Sequence, residues 1–413
     1  MSASPLLQAA LQDTTERLAA ELRQPTTTAP DWSPWQWRIA MATAFLHGLS
    51  AQLAERLHWQ GPADWQAFLA EQAWQGRLRE QAIADLLARI DTAARAQGLA
   101  LIGLKGSALL PLRVHAPGHR PMGDIDLLCD AGQADAADRL IQGLGYTRHI
   151  EMWKHVDYLP PAMPAEPAFG EHAGNAIRIE LHTTVAERLP VRRLDITADL
   201  WRTGLAAGLQ PYPSLAALMR HLLLHSAGNL SNRALRLVQL IDLARLAPRL
   251  QAADWEQALA PGSDGLPAWW AWPSLELARR HAGADLQLAT QTAAWQAARA
   301  ACPARLRAMA ERETLTAVSL SRLAIQPLPG IEWTHSLGEA WACARQRLWP
   351  DARSRATLQQ QVQGQASLRG VAWVARAPWR KALRFLRGAP PRVQTLYAVQ
   401  RALDHRPVLH KAA

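Results

Sequence analysis

In the stretch "GDIDLLC" two aspartates, Asp124 and Asp126, stand one residue apart among aliphatic neighbours. Residues two apart on a strand point to one face, so the pair would project together while Ile125 and Leu127 fill the other side. Carboxylates that close repel each other unless a cation lies between them. An oxygen-only donor set of this kind suits Mg²⁺ or Mn²⁺. A D-x-D alone is too short to separate a metal pair from two solvated acids, but three neighbouring features shift the balance. In "LKGSALL", Gly106 and Ser107 follow an apolar strand and open a helix, where backbone N–H groups and a hydroxyl can meet a phosphate. Arg120 precedes Asp124 by four residues, in a loop with Pro117, Gly118 and Pro121. In "IRIELH" the alternation sends Ile177, Ile179 and Leu181 one way and Arg178, Glu180 and His182 the other, which adds a third carboxylate, Glu180. Neither GxxxxGK[ST] nor GxGxxG occurs around Gly106, so a Walker or Rossmann site is unsupported.

The elements that must position these residues form an α+β unit inside a helix-rich chain. "LALIGL" and "DIDLLC" predict two strands, and "HVDYL" and "AIRIELHTTV" a third and fourth, with "AGQADAADRLIQGLGY" a helix between the second and third. Residues 5 to 95 read as helical. Asp13 with Glu16 forms a capping-box pattern, helical spacing resumes after a turn at Pro34, and Ile83, Leu86, Leu87, Ile90 and Ala94 make one apolar stripe that ends at Gly98. After Trp201 helices return: Ser214 is placed to cap "SLAALMRHLLLHSAG", and "NRALRLVQLIDLARLAPRL" carries a stripe through Leu235, Val238 and Ile241. The expected divisions are a helical region over 1–98, a small mixed-sheet core over 99–200, a helical domain over 201–345 and a basic amphipathic tail over 346–413. No repeat of fixed period is present.

Composition bounds the class. A chain of 413 residues exceeds one typical core, and 49% apolar residues exclude wholesale disorder. Cys129, Cys302 and Cys343 stand far apart with no CxxC, which fits a reducing cytoplasm and neither a disulfide framework nor a structural zinc site. No run approaches the ~20 apolar residues of a membrane span, and the first 22 residues lack a secretion signal, so a soluble cytoplasmic protein is expected. The net charge of +10 is a tail property: from Arg345 onward 14 Lys and Arg face 2 Asp, while the rest of the chain is nearly balanced. Only four lysines occur among 45 cations, and one of them, Lys105, directly precedes Gly106.

The order Leu-Lys-Gly, then Arg-x-x-x-Asp-Ile-Asp-Leu-Leu, then a strand ending Glu-Leu-His resembles the bacterial "uncharacterised nucleotidyltransferase" family. That family belongs to the DNA polymerase β-type nucleotidyltransferase superfamily. The resemblance extends through "HLLLHSAGNLSNRALRLVQLIDLARL" and so covers residues 99–246; a departure is Thr183, where an aromatic often follows Leu-His. It implies a polymerase β-like core and transfer of NMP from an NTP to a hydroxyl acceptor. Two divalent ions roughly 3.5–4 Å apart would be held by Asp124 and Asp126, one of them also by Glu180. Gly106 and Ser107 would cradle the β- and γ-phosphates, with Lys105 or Arg120 adding charge. His225 and Asp242 would line the nucleotide pocket. His182 could ligate metal or hydrogen-bond a carboxylate, Lys105 could cap the strand instead, and Asp242 could pair with Arg245 at i,i+3.

The acceptor stays open among RNA, protein, peptide and small molecule. Transfer of another phosphate or sugar-nucleotide group on the same core is an alternative, as is a non-catalytic nucleotide-binding helical protein. In the tail, Arg376, Arg380, Lys381, Arg384 and Arg387 surround Trp379, Leu383 and Leu386, a pattern suited to RNA or an anionic membrane surface, or to a helix packed on the protein itself.

Overall fold

A computed structural model describes residues 4–163, 167–262, 265–326, 328–349 and 388–405. The α+β expectation is met. One six-stranded mixed sheet in the order β3-β4-β5-β2-β1-β8 sits among helices, beside a two-stranded β6-β7 ribbon. The strands are β1 (Ala100–Leu104), β2 (Asp124–Leu128), β3 (Thr147–Glu151), β4 (His155–Leu159), β5 (Arg178–His182), β6 (Ala186–Arg188), β7 (Arg193–Asp195) and β8 (Gly208–Gln210). β1, β2, β4 and β5 are those the apolar runs and alternation predict. The edge strands β3 and β8 carry no such pattern, because an edge strand is only half covered and need not alternate. Four helices precede the sheet: α1 (Pro5–Arg23), α2 (Pro34–His47), α3 (Ser50–Arg56) and the 34-residue α4 (Ala63–Ala96). Within and after it lie α5 (Gly106–Leu109), α6 (Ala134–Gly143), α7 (Thr197–Leu200), α8 (Leu215–Ser231) and α9 (Leu237–Leu246).

The sheet's two faces do different work. On one, Leu101, Ile125, Leu127, Ile179 and Leu181 share a core with Ile83, Leu87 and Ile90 of α4 and Leu140 and Ile141 of α6. Each such side chain removed from water contributes about 2 kcal/mol, so a one-residue slip of β2, which would turn Asp124 and Asp126 into this core, is prohibitive. On the other face Ile102, Leu104 and Leu128 join a larger core with residues of α1, α2, α8 and α9. The α4 stripe ends as expected. Gly98 takes φ +67°, its N–H donates to Arg95 O (3.2 Å), and Leu99 N–H donates to Ala94 O (2.9 Å), closing the helix and turning the chain into β1.

Two local expectations are corrected. Asp13 is no N-cap: α1 begins at Pro5, and Asp13 lies mid-helix, its carboxylate accepting the Trp32 indole N–H at 2.5 Å. Proline at the first helical position nucleates the helix upstream, and Glu16 accepts instead from the N–H and hydroxyl of Thr316. The α9 stripe also starts later, at Leu237. Leu235 is buried in a bridge to Ser319 rather than on the helix. Ser214 caps α8 as its position suggested, accepting from Ala217 N–H.

Arg79 of α4, 4% exposed, has no counterpart in the sequence reading. Its guanidinium donates to Met122 O (2.7 Å), Asn175 O (2.6 Å) and Ala176 O (3.0 Å), and so ties α4 to the segments that enter β2 and β5. The helix Val393–Asp404 packs on α2 with Thr395, Ala398, Val399 and Ala402 buried. The basic stretch from Arg376 to Arg387 lies outside the described residues.

Removal of Arg79 leaves the Met122, Asn175 and Ala176 carbonyls without their guanidinium partner. Arg79→Met is expected to lower stability by about 3 kcal/mol, read from urea unfolding, where a surface Arg→Met control changes little. Because the helix Val393–Asp404 packs on α2, the tail is best tested by charge: if the basic stretch contacts RNA or anionic vesicles, salt-sensitive retention of the unaltered chain is lost when Arg376, Arg380, Lys381, Arg384 and Arg387 are changed to glutamine. Salt-independent or absent binding by the unaltered chain would remove the tail as a contact surface.

Candidate active site

The register of β2 and β5 assembles the site. The two strands are parallel and pair Asp124 with Arg178, Asp126 with Glu180 and Leu128 with His182. Paired residues share a face, so Asp124, Asp126 and Glu180 meet on the face opposite α4. β1, antiparallel to β2, sets Leu104 beside Asp126, and the chain then turns at Lys105 into α5. Lys105 holds φ +49°, a strained value for a side-chain-bearing residue. Two contacts fix it: its N–H donates to the Tyr212 hydroxyl (3.3 Å), and its Nζ reaches Asp126 Oδ1 (2.7 Å). Tyr212 is anchored in turn by His221 Nδ1 of α8 at 2.6 Å, on an imidazole that burial keeps neutral.

Three carboxylates, Asp126 buried and Asp124 and Glu180 half-buried, and the Lys105 ammonium set the electrostatics. Burial, then Asp126 and Glu180, push Asp124 up to about 7. Burial acts the same way on Asp126, but the Lys105 ammonium and the His182 contact overcome it and hold this carboxyl well below the usual range. Glu180 is also held low, against burial, by its contact with His182. Burial disfavours the charge on Lys105, yet the surrounding acids raise its pKa above the ordinary value. Even with the Lys105 ammonium and the Arg120 guanidinium acting on Asp124, the positive charge is too little for all three acids to ionise fully, and the oxygen donors Asp124, Asp126 and Glu180 fit a hard divalent cation.

The residues expected on the phosphate side are arranged less directly. The first intrahelical bonds of α5 are donated by Ala108 and Leu109 to Lys105 O, so the amides of Gly106 and Ser107 lie ahead of them at the helix N-terminus. A Cβ at 106 would meet Arg120 Nη1 and the Met122 thioether, so both side chains would have to shift for a larger residue there. Ser107 Oγ is buried without a partner, and Ser107, Gly103, Leu87, Leu209 and Leu218 line a cavity of about 670 Å³ between β1, α4 and α8. Arg120 gives Nε and Nη2 to Asp242 in a two-pronged bridge (3.0 and 2.9 Å), and His115 Nε2 lies 2.7 Å from the same carboxylate. Asp242 therefore pairs across the fold, with Arg120 rather than with Arg245. Burial opposes its ionisation, but Arg120 and His115 hold it down at about 2. His225 Nε2 lies 2.9 Å from Gln239 Nε2 and its Nδ1 4.0 Å from Glu187.

The structure adds one group the sequence reading passed over. β4 is antiparallel to β5, which sets His155 opposite His182 and Asp157 opposite Glu180. His155 Nδ1 comes within 3.4 Å of Glu180 Oε2. The alternation in "HVDYL" placed His155 and Asp157 on one face, but which face it was depended on the pairing.

This chain belongs to the uncharacterised nucleotidyltransferase family, whose model matches residues 33–280, well over half of its length. The match reaches upstream of the sheet to α2 and so takes in α4, and downstream through α8 and α9. No curated protein and no solved structure gives a significant match. Among the described residues no helix is long and apolar enough to cross a membrane.

Asp242 supplies a pH signature distinct from the acid cluster. Its folded pKa of about 2 lies below the ordinary 3.8, so its stabilisation is complete above about pH 4 and is lost as the pH falls toward 2. Asp242→Asn is expected to lower stability at pH 7 by about 2 kcal/mol, leaving the half-buried Arg120 without its ionic partner, and to flatten this acid limb of the unfolding curve. An unchanged acid limb in the variant would show that Arg120 is held by other groups.

Proposed function

We propose that the protein is a metal-dependent nucleotidyltransferase that moves NMP from an NTP to a hydroxyl acceptor. The observation that carries this reading is the pairing of Asp126 with Glu180, which gathers three carboxylates beside a strand-turn-helix of sequence Lys-Gly-Ser. Membership of a nucleotidyltransferase family supports it. Asp124 and Asp126 would hold Mg²⁺ or Mn²⁺, with Glu180 completing the position nearest the acceptor. Divalent ions bound there supply charge to the leaving pyrophosphate and lower the pKa of the attacking hydroxyl. Every other part falls to the chain itself. Asp126, held ionised by Lys105 and His182, keeps its oxygens available as donors. Lys105 is the cation already inside the cluster, within reach of charge that develops on a phosphate. Arg120 is fixed through Nε and Nη2, so its Nη1 stays beside Gly106, where it and the first amides of α5 would meet the β- and γ-phosphates. The α4 face excludes water from behind the acids.

The test incubates the protein and a cell extract with each α-labelled NTP and Mg²⁺. Label is expected to pass to an acceptor, to vanish with a chelator, and to fall by about 100-fold or more in Asp126→Asn, the scale on which loss of one preorganised electrostatic group acts. Equal labelling by the variant, or label carried only with a sugar or a bare phosphate, would replace this reading with another transfer. Tight NTP binding without transfer would leave a nucleotide-binding protein. The fraction that carries label identifies the acceptor as RNA, protein, peptide or small molecule.

A further inference from the structure

Oxygen donors are not the whole of the cluster. His155 Nδ1, Glu180 Oε2 and His182 Nε2 come from adjacent strands, and such donor atoms of the three residues all lie within 4.8 Å of one another. Two of the separations are 3.4 Å (His155 Nδ1 to Glu180 Oε2) and 3.5 Å (His182 Nε2 to Glu180 Oε2). Ligand atoms bound at roughly 2.1 Å in a tetrahedral shell lie about 3.4 Å apart, so both spacings match a shared ion. Asp126 Oδ1 stands 3.1 Å from His182 Nε2 and offers a fourth donor.

Burial argues the same way. The His155 and His182 side chains are 12% and 4% exposed, and His155 Nδ1 is enclosed without a hydrogen-bond partner. A buried ring nitrogen left without a partner is costly, and a metal ion would satisfy it. Lys105 does not fill this role, because its ammonium contacts Asp126, whereas His155 meets Glu180 and the His182 ring, 4.9 Å between ring centres. Imidazole nitrogen is a poor ligand for Mg²⁺ and a good one for Zn²⁺ and its transition-metal neighbours.

We infer that His155, Glu180 and His182, with Asp126 beside them, form a mixed nitrogen–oxygen site that takes a transition-metal dication such as Zn²⁺ or Co²⁺ in preference to Mg²⁺. The inference rests on the reading of Glu180 as a metal-holding carboxylate and adds two nitrogen ligands to it. The site needs no backbone rearrangement, since β4, β5 and β2 already set its donors in register.

The test uses the metal-free full chain and no nucleotide. Zn²⁺ affinity is measured by competition with a chromophoric chelator, and Co²⁺ binding by its visible absorption. Imidazole ligation is also read as ¹⁴N couplings in the pulsed EPR spectrum of bound Mn²⁺. The unaltered chain is expected to bind one Zn²⁺ that excess Mg²⁺ does not displace and to show ¹⁴N couplings. His155→Ala and the more conservative His155→Gln should each weaken Zn²⁺ by at least about 10-fold, the loss that even an outer-sphere partner of a metal ligand produces. Unchanged Zn²⁺ affinity in both variants, ready displacement by Mg²⁺, or Mn²⁺ without ¹⁴N coupling in the unaltered chain would each overturn the inference. The last two readouts need no variant to fold. NMP transfer with no nitrogen-ligated metal would sink this inference and leave the proposed function standing, whereas nitrogen-ligated Zn²⁺ with no NMP transfer would do the reverse.

Discussion

The pairing of Asp126 with Glu180 across β2 and β5 is the constraint on which the site depends. It forces carboxylates together inside the protein, an arrangement that repulsion and desolvation both oppose. The fold answers with the Lys105 ammonium, set on Asp126 by a turn whose backbone is strained, and with the Arg120 guanidinium acting on Asp124. The answer is partial, since Asp124 still rises to about 7. A cluster in this condition gains from further positive charge, and that physical deficit makes the site receptive to cations.

Such a cluster persists only because the remainder of the structure over-determines it. The α4 face fixes the register of β2 and β5 by burying Ile125, Leu127, Ile179 and Leu181, and Arg79 binds the entries of both strands to the same helix. From the other side α8 holds Tyr212 through His221, and Tyr212 holds the backbone of Lys105. Asp242 of α9 holds Arg120 beside Gly106. Helices before and after the sheet are thus part of the site's support, which agrees with a family match that begins at residue 33 and ends at 280.

Proximity to the acids did not follow sequence prominence. Arg120 and Ser107 both stand near the motif in sequence, yet the Arg120 guanidinium is bridged to Asp242 and the Ser107 hydroxyl is buried without a partner. His155 and Arg79, which no motif marks, sit against Glu180 and the strand entries. Short-range pattern finds residues whose role depends on their own strand or turn. It misses those whose role depends on which strand lies next door.

From the sequence alone, strand alternation determined that Asp124 and Asp126 share a face, that Arg178, Glu180 and His182 share another, and that Gly98 ends α4. Each of these follows from backbone geometry within a few residues. Whether the two faces are the same face was beyond local geometry, as was the insertion of His155, because strand order and direction are set by long-range burial of the opposite faces. The false cap at Asp13 and the late start of α9 have the same origin. A local signal competes with tertiary packing, and where Trp32, Thr316 or Ser319 offered a better partner, packing prevailed. The choice of Asp242 over solvent for Arg120 was likewise made 122 residues away, at a range where only the folded chain brings charge to charge.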